Sequence, residues 1–247
     1  MWKIYIWKEK DRMQNIVIGI EGLVGSGKTT ICRKLLDYIP NSVILHGGNL
    51  YRGIVYALMN QNKKLSEDLN SLKANLKDMD ITEIMRKLQV EIKLEDRETV
   101  IYIAGKKIDE EELQSDKSSM AVSVAGNAAD NSNLFIFARN IINNFKEKYN
   151  VIVSGRALMQ IYPDLDYHFL ITASLEERVN RKLNQYNNNI DREELKLHIQ
   201  KRDELQEKSG FYKKYEKTIE VDVTNCKTAE ESTEEVCKYI KETYAII

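Results

Sequence analysis

The stretch Gly22-Leu23-Val24-Gly25-Ser26-Gly27-Lys28-Thr29 constrains this chain more than any other feature. It directly follows the apolar run 15–21 (NIVIGIE), which has the pattern of a buried parallel strand. Behind it, Ile31, Leu35 and Leu36 recur at helical spacing until Pro40 closes the segment. A strand, a glycine-rich turn and a helix start in that order make an anion cradle. The glycines let successive N–H groups point at one anion, and the helix N-terminus adds partial positive charge. Lysine at this spacing reaches the β and γ phosphates of a nucleoside triphosphate, and the adjacent hydroxyl ligates Mg²⁺. Gly22 to Thr30 are thus the expected binding residues for ATP, with Lys28 at the transferring phosphate and Thr29 at the metal.

The remaining chain alternates strands with helices. Residues 42–45 (SVIL), 150–154 (NVIVS), 167–172 (YHFLIT) and 219–223 read as further strands; 50–58, 175–184 and 191–206 read as helices, as does a stretch from about 118 to 145. This order predicts an α/β fold, a three-layer arrangement with a mostly parallel sheet covered on both faces. Between residues 60 and 88, Leu65, Leu69, Leu72 and Leu76 form one stripe, too short for a coiled coil and suited to a core-facing helix. Val90, Ile92 and Leu94 alternate with charged residues, 96–98 turns, and 100–103 returns, a hairpin inserted into the core fold. Residues 1–14 form an N-terminal extension ahead of a single domain, 15–247.

Composition removes several classes of function. With 37 Lys plus Arg against 38 Asp plus Glu the net charge is −1, so no global field recruits nucleic acid, and any anionic ligand must be held by a local cluster of cations. Cys32, Cys226 and Cys237 are too few for a disulfide framework and lack metal-ligand spacing, which points to a reducing compartment. The chain contains no apolar run of the roughly 20 residues that span a bilayer, and its start lacks the pattern of a signal peptide. A cytoplasmic monomer acting on small-molecule nucleotides, without membrane or nucleic-acid partners, is the expectation.

A water-activating nucleotidase would add a second strand ending in a magnesium-binding aspartate. Strand 150–154 instead runs into Gly155-Arg156-Ala157, and the chain offers Arg52, Arg139, Arg156, Arg178, Arg181 and Arg202. At these residues it resembles the cytidylate kinases, members of the nucleoside monophosphate kinases. Gly48-Asn49-Leu50-Tyr51-Arg52 is similar to the family's first substrate motif, and Ser154-Gly155-Arg156, Pro163-Asp164 and Thr172-Ala173-Ser174 follow in family order. Glu176-Glu177-Arg178, Arg181-Lys182 and Lys201-Arg202-Asp203 resemble the mobile lid, and the hairpin with Ile108-Asp109-Glu110-Glu111 resembles the insertion of the bacterial enzymes. The resemblance implies an acceptor region at about 46–133, a lid at about 175–210, and transfer of the ATP γ-phosphate to a nucleoside monophosphate, CMP or dCMP. It also implies roles: Tyr51, Arg52, Arg139 and Arg156 bind the acceptor, while Lys28, Arg178, Arg181 and Arg202 act on the transferring group.

The sequence departs from that family at named places. His46 and Gly47 stand where an aspartate and a small hydroxyl residue are usual, Ala157 where an aspartate follows the glycine-arginine pair, and Gln206 and Ser209 where the lid carries a further aspartate and arginine. Arg139 lies about one turn from the expected helical arginine. In the family several of these positions serve the sugar and base of the acceptor. Two other functions remain open at this level: a kinase of the same architecture acting on a hydroxyl, which needs a base such as Glu21 or His46, and a nucleotide-binding regulatory protein. For individual arginines the bland alternative is a solvated helix face or a pair such as Glu177 with Arg181. Cys32 reads as core filler.

Overall fold

The computed structural model describes residues 15–61, 80–113, 132–185, 190–208 and 210–243. The extension 1–14, the leucine stripe at 65–76, the segment 118–131 and Ser209 lie outside the described residues. In chain order the elements are β1 (Val17–Gly22), α1 (Lys28–Tyr38), β2 (Ser42–His46), α2 (Gly47–Gln61), α3 (Ile81–Leu88), β3 (Val90–Glu95), β4 (Glu98–Ile103) and β5 (Lys106–Lys107). There follow α4 (Glu110–Leu113), α5 (Ser132–Lys146), β6 (Asn150–Ser154), α6 (Leu158–Ile161), β7 (Tyr167–Thr172), α7 (Leu175–Gln185), α8 (Arg192–Lys208), β8 (Thr218–Asp222) and α9 (Ala229–Thr243).

One sheet runs β3-β4-β2-β6-β1-β7-β8, with β5 paired to β4. From β2 to β8 every pairing is parallel, for example Ile18 opposite Ile152 and Ile20 opposite Phe169. The central strands are buried on both faces, as their continuous apolar runs require. On one face α1 and α9 enclose Ile18, Ile20, Ile31, Leu35, Phe169 and Val236. On the other, α2, α5 and α6 enclose Leu50, Ile54, Ile142, Val153 and Leu158.

The hairpin is less separate than an insertion read from sequence. Its turn sits at Asp96-Arg97, both at positive φ (46° and 68°), and β4 joins the edge of the main sheet beside β2 through the Ile44–Glu98 register. Arg97 fastens that corner, donating to the carbonyl oxygens of Ser42, Leu36 and Ile39. Helix α2 also starts earlier than residue 50, directly after β2, so that Gly47 and Gly48 form its first turn.

Because the core strands are parallel, the segments that leave β1, β2, β6 and β7 emerge from one edge of the sheet. That edge therefore collects the glycine-rich turn, Gly48 to Arg52, Gly155-Arg156 and the approach to α7, and it forms the crevice where ligands bind in open parallel sheets.

Candidate active site

The turn after β1 has the geometry of a phosphate cradle. Gly22 ends the strand in close contact with β7: a Cβ there would lie 2.4 Å from the Ile171 carbonyl oxygen, so no side chain fits. Gly27 caps α1 at φ 92°, a left-handed conformation that glycine adopts without strain. Leu23 N–H donates to Ile171 O (3.2 Å), Ser26 N–H to Leu23 O (3.2 Å), and the Lys28 ammonium folds back to Gly22 O at 3.0 Å. The Ser26 hydroxyl is buried with no hydrogen-bond partner. An orphaned donor inside a ring of backbone N–H groups fits an anion that completes the ring.

Four cations share the space in front of this loop. Desolvation, with Arg156 and Arg202 adding like charge, lowers the Lys28 ammonium from 10.5 to about 7. Desolvation, then Arg202 and Arg156, lowers Arg52 to about 10. Arg52 donates to Asn49 Oδ1 at 3.3 Å, while its buried Nε has no partner, and the buried Tyr51 hydroxyl likewise has none. Among the described residues no carboxylate lies within ion-pair distance of Lys28, Arg52 or Arg156. Like charges held close together cost free energy, and such a cluster suits a polyanion.

Arg156 leaves the end of β6 and meets α8 and the turn that follows it. Its Nη1 donates to the Tyr212 hydroxyl (2.6 Å) and to Gln206 Oε1, and the guanidinium lies 5.5 Å from the Tyr212 ring centroid and 5.9 Å from that of Phe211. Ala157, next in the chain, caps α6 at φ 54°.

Arg178 and Arg181 reach the loop from behind, through its backbone. Arg178, 5 % exposed, donates to Val24 O at 3.1 Å, to Ala173 O at 3.0 Å and to Asp203. Arg181 donates to Ser26 O (3.2 Å), Val223 O (2.8 Å) and Cys226 O (3.3 Å), and pairs with Glu177 at 2.8 Å, the i,i+4 contact that helical spacing foretells. Val24 of the loop is itself buried between α7 and α8 with Val179, Leu195 and Ile199. Helices α7 and α8 are thus packed onto the glycine-rich loop. Arg139 is exposed and its Nε donates to Ile161 O at 2.9 Å, capping the end of α6.

Both candidate bases are engaged elsewhere. Glu21 is buried, and its Oε1 accepts from Leu158 N–H (2.6 Å) and faces His168 Nε2 at 3.2 Å. His46 Nε2 lies 2.8 Å from Glu98 Oε2, and Glu98 is gripped by Arg33 at 2.8 and 3.1 Å. Cys32 is buried, and desolvation pushes its thiol up to about 12, an inert core group. Reading the sequence missed Asp203 as the partner of Arg178, Glu98 as the partner of His46, and Tyr212 altogether; the first two sit beside singled-out residues only after folding, and no local spacing signals them. Among the described residues there is no cluster of His, Cys, Asp and Glu able to hold a metal ion by itself, and no helix is long and apolar enough to cross a membrane.

Comparison with known proteins agrees with this geometry. The cytidylate kinase family model matches residues 18–244. A cytidylate kinase of Clostridioides difficile (strain 630) is 30% identical over 234 residues, covering 92% of this chain and 99% of its own. One from Clostridium botulinum (strain Loch Maree / Type A3) is 28% identical over 235 residues, covering 93% and 99%, and one from Aquifex aeolicus (strain VF5) is 30% identical over 234 residues, covering 91% and 96%.

Proposed function

Because the chain belongs to the cytidylate kinase family, ATP-dependent nucleoside monophosphate kinases, we propose that it moves the ATP γ-phosphate to CMP or dCMP. The observation that carries this reading is the set of cations from separate elements, Lys28, Arg52, Arg156 and Arg202, whose charges act on one another across a single space.

Two polyanions must be brought together for this reaction. The acceptor's phosphate oxygen attacks the γ-phosphorus, the bond to the β–γ bridging oxygen breaks, and ADP leaves. The attacking oxygen is already ionised, so positioning, charge screening and exclusion of water do the catalysis. Residues 22–30 hold the donor phosphates, with Lys28 at the γ-phosphate. Arg52 and Arg156 hold the acceptor phosphate, while Tyr51 packs against the apolar core beside α2. Arg202 brings charge from the lid. Arg178 and Arg181 hold the loop in its binding shape and tie it to α7, so their contribution passes through the backbone carbonyls of Val24 and Ser26. The Thr29 hydroxyl would hold Mg²⁺ together with oxygens of the nucleotide, and the ion would supply neutralising charge at the donor phosphates.

The engagement of Glu21 by Leu158 N–H and of His46 by Glu98 weighs against a hydroxyl acceptor, which needs an available base. Base reading is where this chain departs from its relatives, at Ala157, Gln206 and Ser209. A site without buried hydrogen-bonding partners loses little on meeting the wrong base. Steady-state kinetics across CMP, dCMP and UMP test this: kcat/KM values within about tenfold of one another are expected. A strong preference for CMP over UMP would show that other residues read the base. The reading places the enzyme in the cytoplasm, as a monomer.

A further inference from the structure

The lid's contact with Arg156 is made entirely of neutral groups. Gln206 Oε1 accepts from both Arg156 Nη1 and the Tyr212 hydroxyl; that hydroxyl in turn accepts from Arg156 Nη1, and the ring lies against the guanidinium. Each of the three groups is thereby bonded to the other two. Tyr212 sits at φ 64°, a left-handed conformation disfavoured for a bulky residue, in the turn that follows α8. Such a backbone persists where surrounding contacts over-determine it. Desolvation raises the Tyr212 phenol above its ordinary value, outweighing the lowering by the Arg156 guanidinium, so it stays protonated and able to donate at neutral pH.

The chemistry of the partners matters. The resemblance places an aspartate at 206 together with an arginine at 209 in the family's lid; here serine stands at 209, so a carboxylate in place of Gln206 would take Arg156 as its cation and neutralise it, and the acceptor phosphate would then compete with a permanent counter-ion. An amide oxygen and a phenol fix the fork while leaving its charge uncompensated, and among the described residues no carboxylate pairs with Arg156.

We propose that Gln206 and Tyr212 are positioning residues that form a charge-neutral clamp, orienting Arg156 for the acceptor phosphate from the lid. The clamp links α8 and the turn at 210–212 to the end of β6, so lid placement and acceptor binding become one event. This rests on the reading of Arg156 as an acceptor-phosphate arginine.

Initial-rate kinetics of the full chain, with CMP varied at saturating MgATP and the converse, test it on Gln206→Glu, Tyr212→Phe, Arg156→Ala and the double variant Arg156→Ala/Tyr212→Phe, alongside thermal melts. Gln206→Glu creates an ion pair, so the melting temperature should hold or rise while KM for CMP rises about tenfold or more and KM for ATP stays within about twofold. Tyr212→Phe keeps the ring and removes the hydroxyl, and should raise KM for CMP several-fold. In the Arg156→Ala background that effect should vanish, because Tyr212 acts through Arg156. An unchanged KM for CMP in Gln206→Glu, or a Tyr212→Phe effect of equal size with and without Arg156, overturns the clamp. An unchanged KM in Arg156→Ala overturns the acceptor-site reading instead. If Tyr212→Phe melts at assay temperature, the Gln206→Glu result decides.

Discussion

Free Lys28 should be mostly neutral at pH 8, and a phosphate donor should recharge it. Its ammonium is lowered to about 7 by desolvation, then by Arg156 and Arg202. A bound polyphosphate supplies the missing negative charge and returns the group towards its ordinary value near 10.5. At pH 8 about nine tenths of the free protein then carries neutral Lys28, so binding takes up about 0.9 proton; at pH 6 the uptake falls to about 0.1. Recharging at pH 8 costs about 1.4 kcal/mol, so the donor should bind about tenfold more weakly than at pH 6 on this account alone. The sign for folding is linked. Between about 7 and 10.5 the unfolded chain holds the Lys28 proton that the folded chain releases, so this group's contribution makes stability rise with pH across that window and flat below it. Isothermal titration with MgADP in two buffers of different ionisation enthalpy reads the proton count directly, and Lys28→Arg should abolish the uptake. Buffer-independent heats at pH 8, or identical uptake in Lys28→Arg, would refute the reasoning.

Other consequences follow from the site's construction. Arg178→Ala leaves the partly buried Asp203 carboxylate without its cation and frees the Val24 and Ala173 carbonyls, so urea unfolding should show a loss of about 3–5 kcal/mol together with a raised KM for ATP; unchanged stability would contradict its role as a brace. Gly22→Ala drives a methyl group against the Ile171 carbonyl, and fluorescence titration should show donor binding lost with about 1–3 kcal/mol of stability; normal binding would mean that the loop tolerates displacement from β7. Hydrogen exchange in α7 and α8 should slow when donor and acceptor analogues bind together, since both helices share a small core with loop residue Val24; equal protection with and without ligand would mark a fixed helix pair.

What the sequence revealed tracks the range of the interactions. β1, β6 and β7 were legible because strands buried on both faces are apolar without interruption, and the phosphate loop because its chemistry lies within eight consecutive residues. The Glu177–Arg181 pair was legible for the same local reason. The joining of β4 to β2 was not, since a one-register parallel contact leaves no pattern in either strand. Nor was the orientation of Arg178: helical spacing places it on α7, but its burial depends on Val24, 154 positions away, and on Asp203 in the next helix. Arg156 and Tyr212 meet across 56 positions, and only the fold brings an aromatic turn to the end of β6. Gln206 could be flagged as a departure from related sequences, yet the partner that gives the departure meaning could not.

The central claim is that one cation-lined crevice holds two phosphate-bearing nucleotides for direct transfer. Incubation with MgATP and, separately, CMP, dCMP, UMP, AMP, GMP and the corresponding nucleosides, followed by anion-exchange separation, tests it most directly. The account predicts CDP, dCDP and UDP in one-to-one amounts with ADP, unreacted nucleosides, and no product from Lys28→Ala. Formation of CMP from cytidine, or no diphosphate from any monophosphate, would contradict it.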